Sequence, residues 1–305
     1  MGDKWDIAAK EVRESFSSRK FLLIIGLFFL FSFASVYLGV QEYNRALDDF
    51  GTGGLYGSVP EPPSLIEVFE PLVQFQLPLA AGLLGLMLSY DSISSERENG
   101  TIELLLSYPI YRDEVINGKF IAGVFTVALA FLFSLLMSSG LAIYMTGKIP
   151  EFGSIVRLGK IWRATVVYMA FFLGLGTLLS TLLRSSWRSL IAGIVLMLVF
   201  LGMPFIANIA ASQVIYPTSP GMNDTVEDQM RDRQDRFASD VSRFSPSTSF
   251  MNFVEKMLGT EYTGGSGSPT LRQSFNSSYG YILYLLSETM LMFTFSYAIF
   301  MRQDL

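Results

Sequence analysis

Six stretches of the chain run almost free of charge for long enough to cross a bilayer: residues 21–40, 72–90, 120–145, 164–183, 190–215 and 279–301. About 20 apolar residues rising 1.5 Å each cover a hydrocarbon core roughly 30 Å thick. The apolar positions are continuous rather than alternating, and a backbone in lipid must satisfy its own hydrogen bonds. The pattern therefore predicts an all-α membrane protein of six transmembrane helices and no β-barrel. The first stretch is too long, and lacks a small-x-small site close behind it, to read as a cleaved signal peptide. Ahead of it, Trp5, Ala8, Ala9, Val12 and Phe16 recur at helical spacing opposite Lys4, Lys10, Arg13 and Glu14. That pattern predicts an interfacial helix over 1–20.

The remaining sizeable polar region, 216–278, also has helical order. Val226, Met230, Phe237, Val241 and Phe244 share one face, with Glu227–Arg231 and Asp232–Arg236 as i,i+4 pairs. Phe250, Phe253, Val254, Met257 and Leu258 mark a second short helix that Gly259 stops, and the run from Gly264 to Pro269 reads as a flexible linker. A small helical cap is expected, too thin for an enzyme domain. The sixth span and a short tail, 279–305, follow it.

Charge orients the bundle. Lys4, Lys10, Arg13, Arg19 and Lys20 precede the first span, Arg97, Arg112 and Lys119 lie between the second and third, and Arg184 and Arg188 mark the turn between the fourth and fifth. The positive-inside rule places these segments and both termini in the cytoplasm and the 216–278 cap outside. Lys148, Arg157, Lys160 and Arg163, expected in an outer loop, run against that asymmetry.

Composition narrows the chemistry. Of 305 residues 50% are apolar and 16% charged, the balance of a membrane protein, and a net charge of −5 without a basic stripe argues against nucleic acid. There is no cysteine or histidine, which removes thiolate and imidazole metal ligands, cysteine nucleophiles and Ser-His-Asp catalysis. Tyr90-Asp91 has no Gly-x-Gly-Asp partner to make an aspartyl dyad. Gly140 and Gly147-Lys148 imitate a phosphate loop, but six residues separate the glycines and Ile149 stands where Ser or Thr is required. No metal site, no bound cofactor and no catalytic residue is expected.

The segment 91–119 between spans two and three is the most informative. In YDSISSERENGTIELLLSYPIYRDEVINGKF, Asn99-Gly100 supplies a left-handed break and Thr101 to Leu106 supplies one or two helical turns that Pro109 stops. Asp113-Glu114 then open the next helix at its positive end. A short helix with Leu104 and Leu105 at its centre, flanked by Glu96, Arg97, Glu98, Glu103 and Arg112, suits a groove on a soluble partner.

This run resembles the permeases of the second ABC exporter class, which includes drug, lipid and sodium exporters and the membrane subunit of the nitrous oxide reductase maturation system. The resemblance rests on Asp91, Ile93, Glu96, Arg97, Glu98, Gly100, Thr101, Glu103, Leu105, Pro109, Arg112, Gly118 and Lys119, in order and spacing. Weaker echoes lie in IAAKEVRESFSSRKF and GLGTLLSTLLRSSWRS, and the likeness thins over 216–278. It implies an elbow helix at the amino terminus and a coupling helix between spans two and three that fits an ATPase cleft. It also implies an assembly of two permeases with two separate ATPase chains, with ATP and Mg on those partners. The alternative is a channel or secondary transporter without an ATPase.

Polar residues within the spans are Gln74, Gln76, Asn208, Gln213 and Glu288, each suited to lining a pathway or to hydrogen bonding between helices. Glu288 is the one ionisable group inside an apolar stretch, so it is expected to face protein or water. Pro204 removes a backbone donor from the fifth span, and Asn208 or Ser212 is expected to accommodate the carbonyl it frees.

Overall fold

All six apolar stretches lie on helices in the computed structural model, which describes residues 3–51, 64–100, 112–215, 224–258 and 271–302. Helix α1 (Asp3–Ser17) leads into α2 (Arg19–Gly51). A 3-10 turn (Leu65–Phe69) and a π-helix (Leu72–Ala81) continue into α3 (Gly82–Ser89) and the short α4 (Ser94–Glu98). After α5 (Arg112–Thr146), α6 (Phe152–Leu182) and α7 (Ser186–Ile209), a π turn (Ala210–Ile215) precedes α8 (Asp224–Ser242), α9 (Pro246–Leu258) and α10 (Leu271–Arg302). The described residues contain no strand, and six helical segments among them are long and apolar enough to span a membrane.

The helices outrun their apolar stretches, because the hydrocarbon core limits apolar length while intrahelical hydrogen bonding continues past it. Helix α6 starts at Phe152, so Arg157, Lys160 and Arg163 stand on a helix rather than in the expected loop. Arg157 and Lys148 have defined partners. Arg157 Nη1 donates to the carbonyls of Met257 (3.0 Å) and Leu258 (3.4 Å), at the negative end of α9, and Lys148 Nζ donates to Tyr43 Oη at 2.9 Å.

Helix α6 is the hub, with 78% of its most apolar window buried, against 17% for the corresponding windows of the α7 and α10 spans. Small residues permit this. A Cβ on Gly85 would run into the Met169 carbonyl, and one on Gly176 into Ser89 Oγ, so α3 and α6 approach nearly backbone to backbone. In lipid there is no hydrophobic drive between helices, and such close packing supplies the association. Gly39 does the same for α2, where a Cβ would meet the Val68 carbonyl of the 3-10 turn.

Helix α9 is sunk into this bundle. Phe250, Phe253, Val254 and Met257 are fully or almost fully buried in the main core, and the Phe250 ring stacks on Tyr168 of α6 at 4.6 Å. Two serines at its amino-terminal end tie it to the spans, and one of them replaces a donor that a proline lacks. Pro204 cannot donate to the Phe200 carbonyl, and that carbonyl accepts instead from Ser245 Oγ at 2.7 Å. This corrects the assignment to Asn208 or Ser212: Asn208 donates to Pro204 O (2.9 Å) and Ser212 to Ile209 O (3.4 Å), both within their own span. On the second span Pro78 O accepts from Tyr168 Oη (2.7 Å), and Tyr168 Oη in turn accepts from Ser247 Oγ (3.0 Å).

Helix α8 has the predicted Glu227–Arg231 pair (2.6 Å) and the longer Asp232–Arg236 pair (3.9 Å). Ala238, with Phe237 and Val241 beside it, packs on Ala207 and Ala211. Phe244 leaves the expected face, because the helix ends at Ser242 and a turn carries that ring outward to 78% exposure.

Candidate functional site

The acidic and basic residues after span two converge on α4, a helix of barely more than one turn. Tyr90 to Ile93 form the turn into it, and beyond Asn99 the chain passes through Gly100 at φ +68°, a left-handed conformation that glycine adopts without a Cβ penalty. A helix this short has little stability of its own. Its position is set by contacts to four other helices and, through one of them, to a fifth.

The first contact is to the end of α6. Ser180 Oγ accepts the backbone N–H groups of Ile93 (3.0 Å) and Ser94 (2.9 Å) and donates to Ser94 Oγ (3.1 Å), so one buried hydroxyl holds the start of α4. Arg97 Nη1 donates to the Thr181 carbonyl at 3.0 Å, supplying a partner to the carboxyl end of α6. The second contact is to the start of α7. Glu98 accepts from the Ser186 N–H (3.0 Å) and Ser186 Oγ (2.8 Å), and so caps α7 from outside with a negative charge at its positive end.

The third contact is to Lys119 of α5, which also holds α1. Its ammonium lies 2.7 Å from Glu11 of α1 and 2.9 Å from Glu96 of α4, with the lysine side chain only 12% exposed. Two carboxylates on one largely buried cation compensate its desolvation, and removal of either leaves the remainder poorly paired. The fourth contact is apolar and is made just ahead of the helix: Ile93, Ile116 of α5 and Phe300 of α10 form a separate small core beside Tyr297. Just ahead of α4, Lys20 of α2 pairs with Asp91 at 2.6 Å and donates to Tyr90 Oη at 2.9 Å.

Sequence-predicted residues thus separate into groups. Glu96, Arg97 and Glu98 each reach a different neighbouring helix, and Gly100 makes the predicted break. Arg112 opens α5. Thr101, Glu103, Leu104, Leu105 and Pro109 lie outside the described residues. Ser180, Ser186, Glu11 and Lys20 were not singled out as partners. The signal that could have found the serines is the hydroxyl-rich turn STLLRSS between spans four and five, where small donors cluster between two helix ends.

The polar span residues do not form one site. Gln76 is buried and bridges helices: its Nε2 donates to Ser32 Oγ (2.7 Å) and Phe28 O (3.2 Å) on α2, and Ser134 of α5 donates to the same Ser32 oxygen at 2.8 Å. Gln74 donates along its own segment to Glu70 at 2.8 Å. Asn208 and Gln213 are exposed on the flank of the fifth span. Glu288 lies half-buried on α10, with Oε2 shielded and lacking a hydrogen-bond partner among the described residues. The described residues contain no His, Cys, Asp and Glu grouping fit to hold a metal ion.

The sequence is similar to those of known proteins. A family model described as ABC-2 family transporter protein matches residues 5–305. A probable ABC transporter permease protein NosY of Pseudomonas aeruginosa is 31% identical over 192 residues, 62% of each chain. A protein of the same description from Stutzerimonas stutzeri is 33% identical over 132 residues, 43% of this chain and 42% of its own. The aligned part is thus about six tenths of the first relative's length and about four tenths of the second's.

Proposed function

The chain belongs to the ABC-2 transporter family, and from that premise we propose that it is the membrane-spanning permease subunit of an ATP-driven exporter whose ATPase is a separate chain. The observation that carries this reading is α4. One five-residue helix and the Ile93 that precedes it are tied by hydrogen bonds, an ion pair or apolar contact to α5, α6, α7 and α10, and through Lys119 of α5 to α1. A force applied there is shared among four spans at once, as a coupling element requires and a passive loop does not. In this reading 91–119 docks on the ATPase through Glu103, Leu104 and Leu105, α1 is the elbow helix, and the α4 end of the bundle is cytoplasmic. Two copies of the chain pair with two ATPases, which hold the ATP and Mg, and α8 and α9 lie on the outer side.

ATP-driven closure of the partner dimer would pull the two docking segments together, and the braced spans would rearrange around a pathway between the two copies. The test is co-purification and ATPase stimulation by variants that leave the spans intact. Leu104→Asp and Glu103→Arg place a wrong charge in the docking groove and are expected to abolish stimulation and recovery of the complex while the permease remains folded. Wild-type stimulation and transport by both variants would overturn the assignment of this segment.

A further inference from the structure

A cavity of about 330 Å³ opens beside the ion pairs, between α1, the first turns of α2 and the end of α3, a volume within the range of about 300–1,000 Å³ usual for small-molecule sites. Its floor and its mouth differ in chemistry. Ile24, Leu84, Leu88 and Leu173 give an apolar wall, and Met87 also lines it. Lys10, Glu14, Lys20 and Asp91 line the polar part. Lys119, Glu11 and Glu96 also line it; the lysine is largely buried between the two carboxylates, and the triad carries a net negative charge.

The accessible charges therefore decide what the mouth accepts. The side chains of Lys10 and Glu14 are 68% and 60% exposed in a loose 3.4 Å pair, and that of Lys20 is 61% exposed. Lys10 and Lys20 stand with Glu14, Asp91 and the net negative charge of the Lys119 triad, so a purely anionic head meets more repulsion than attraction. A head carrying both signs can set a phosphate against the lysine ammonium groups and an ammonium against Glu14. The cavity lies where α2 begins and α3 ends, at the level of the interface where lipid heads reside, and its apolar wall runs toward the spans.

We propose that this cavity holds the head and upper acyl chain of one zwitterionic, primary-amine glycerophospholipid taken from the surrounding leaflet. The bound lipid wedges α1 against α3 next to the Lys20–Asp91 pair, and this role does not depend on an ATPase partner. The full-length chain, delipidated in detergent, is titrated with dioleoyl phosphatidylethanolamine and dioleoyl phosphatidylglycerol in mixed micelles, and bound lipid is counted by native mass spectrometry. One phosphatidylethanolamine per chain is expected, preferred about tenfold over phosphatidylglycerol. Met87→Trp, which fills the cavity, should remove it. Glu14→Lys, an exposed change that a folded protein tolerates, should reverse the preference toward phosphatidylglycerol. Equal uptake of the two lipids by the parent, or a preference that Glu14→Lys leaves unmoved, overturns the proposal. So does soluble phosphoethanolamine competing as strongly as the lipid, which would make this a site for small solutes.

Discussion

At the scale of single residues the site is held by groups whose loss leaves others without partners. Ser180 is the clearest case, because one oxygen serves two backbone donors at the start of α4. Ser180→Ala keeps the shape of the α6 end but strands these buried N–H groups, and an unsatisfied buried donor costs about 1–3 kcal/mol. The variant is expected to melt at lower temperature in detergent than Ser186→Ala, which removes hydroxyl bonds to the exposed Glu98 and to Ser94 Oγ but strands no backbone N–H. The order of the two melting temperatures checks it. Glu70 makes the second residue-scale prediction. Burial first, then the nearby Glu67 and Glu42 carboxylates, raise its pKa, although Gln74 donates to it at 2.8 Å. A raised folded-state pKa means that the folded protein holds the proton more tightly than the unfolded chain does. The resulting stability is full below the unfolded carboxylate pKa and is lost as pH rises through the folded one. Glu70→Gln keeps an acceptor for Gln74 without the charge, so it should melt above the parent at neutral and alkaline pH, with the gap closing in acid. A gap independent of pH would refute it. The charged members of the site were legible in the sequence because Glu-Arg-Glu followed by Asn-Gly is an uncommon run. Ser180 was not, since its partners lie 86 and 87 positions away and a serine near a helix end is ordinary.

At the scale of elements, apolar length located every span, and helical periodicity located α8 and α9. What it could not supply was where polar helix extends beyond the bilayer, as at α6, or how a proline is accommodated. Pro204 was recognisable as a lost donor, but its compensation comes from Ser245, on an element 45 positions distant in sequence, rather than from a neighbour in the same helix. Local rules search only within a turn, and tertiary packing supplied the answer. The arrangement makes a testable cycle. In the parent, Ser245→Ala leaves the Phe200 carbonyl without its donor. In a Pro204→Ala background residue 204 regains an N–H able to bond that same carbonyl, so Ser245→Ala should then cost less. The two substitutions are expected to be coupled by about 0.5–1.5 kcal/mol, the range of a single net hydrogen bond. Unfolding of the four proteins under identical detergent conditions measures the coupling, and strict additivity would show that Ser245 does not replace the missing donor.

At the scale of the whole molecule, the ion-paired α4 end and the α9 region have opposite characters. The former is polar, braced by ion pairs to the largely buried Lys119 and by the buried hydroxyl of Ser180. The latter is a packed plug: α9 inserts Phe250, Phe253, Val254 and Met257 into the main core and bonds through Ser245 and Ser247 to helices of the fourth and fifth spans. Composition distinguished these short helices from the spans but could not reveal this insertion, because the same apolar face would serve a helix resting on the surface. If the chain works by alternating access, the α9 end must loosen during turnover, and its weakest attachments are hydrogen bonds rather than buried rings. The absence of native cysteine makes this directly measurable. Ser247 is 2% exposed and bonds to the Tyr168 hydroxyl, so Ser247→Cys introduces a thiol that should react very slowly with a membrane-impermeant maleimide at rest. During ATP turnover by the reconstituted complex, labelling is expected to accelerate about tenfold or more, as a minor open state becomes substantially populated. Phe244→Cys, at a site already 78% exposed, is the control and should label rapidly in both conditions. Acceleration at residue 247 alone identifies opening of the plug, whereas equal slow labelling at rest and during verified transport would mean that substrate leaves without moving α9.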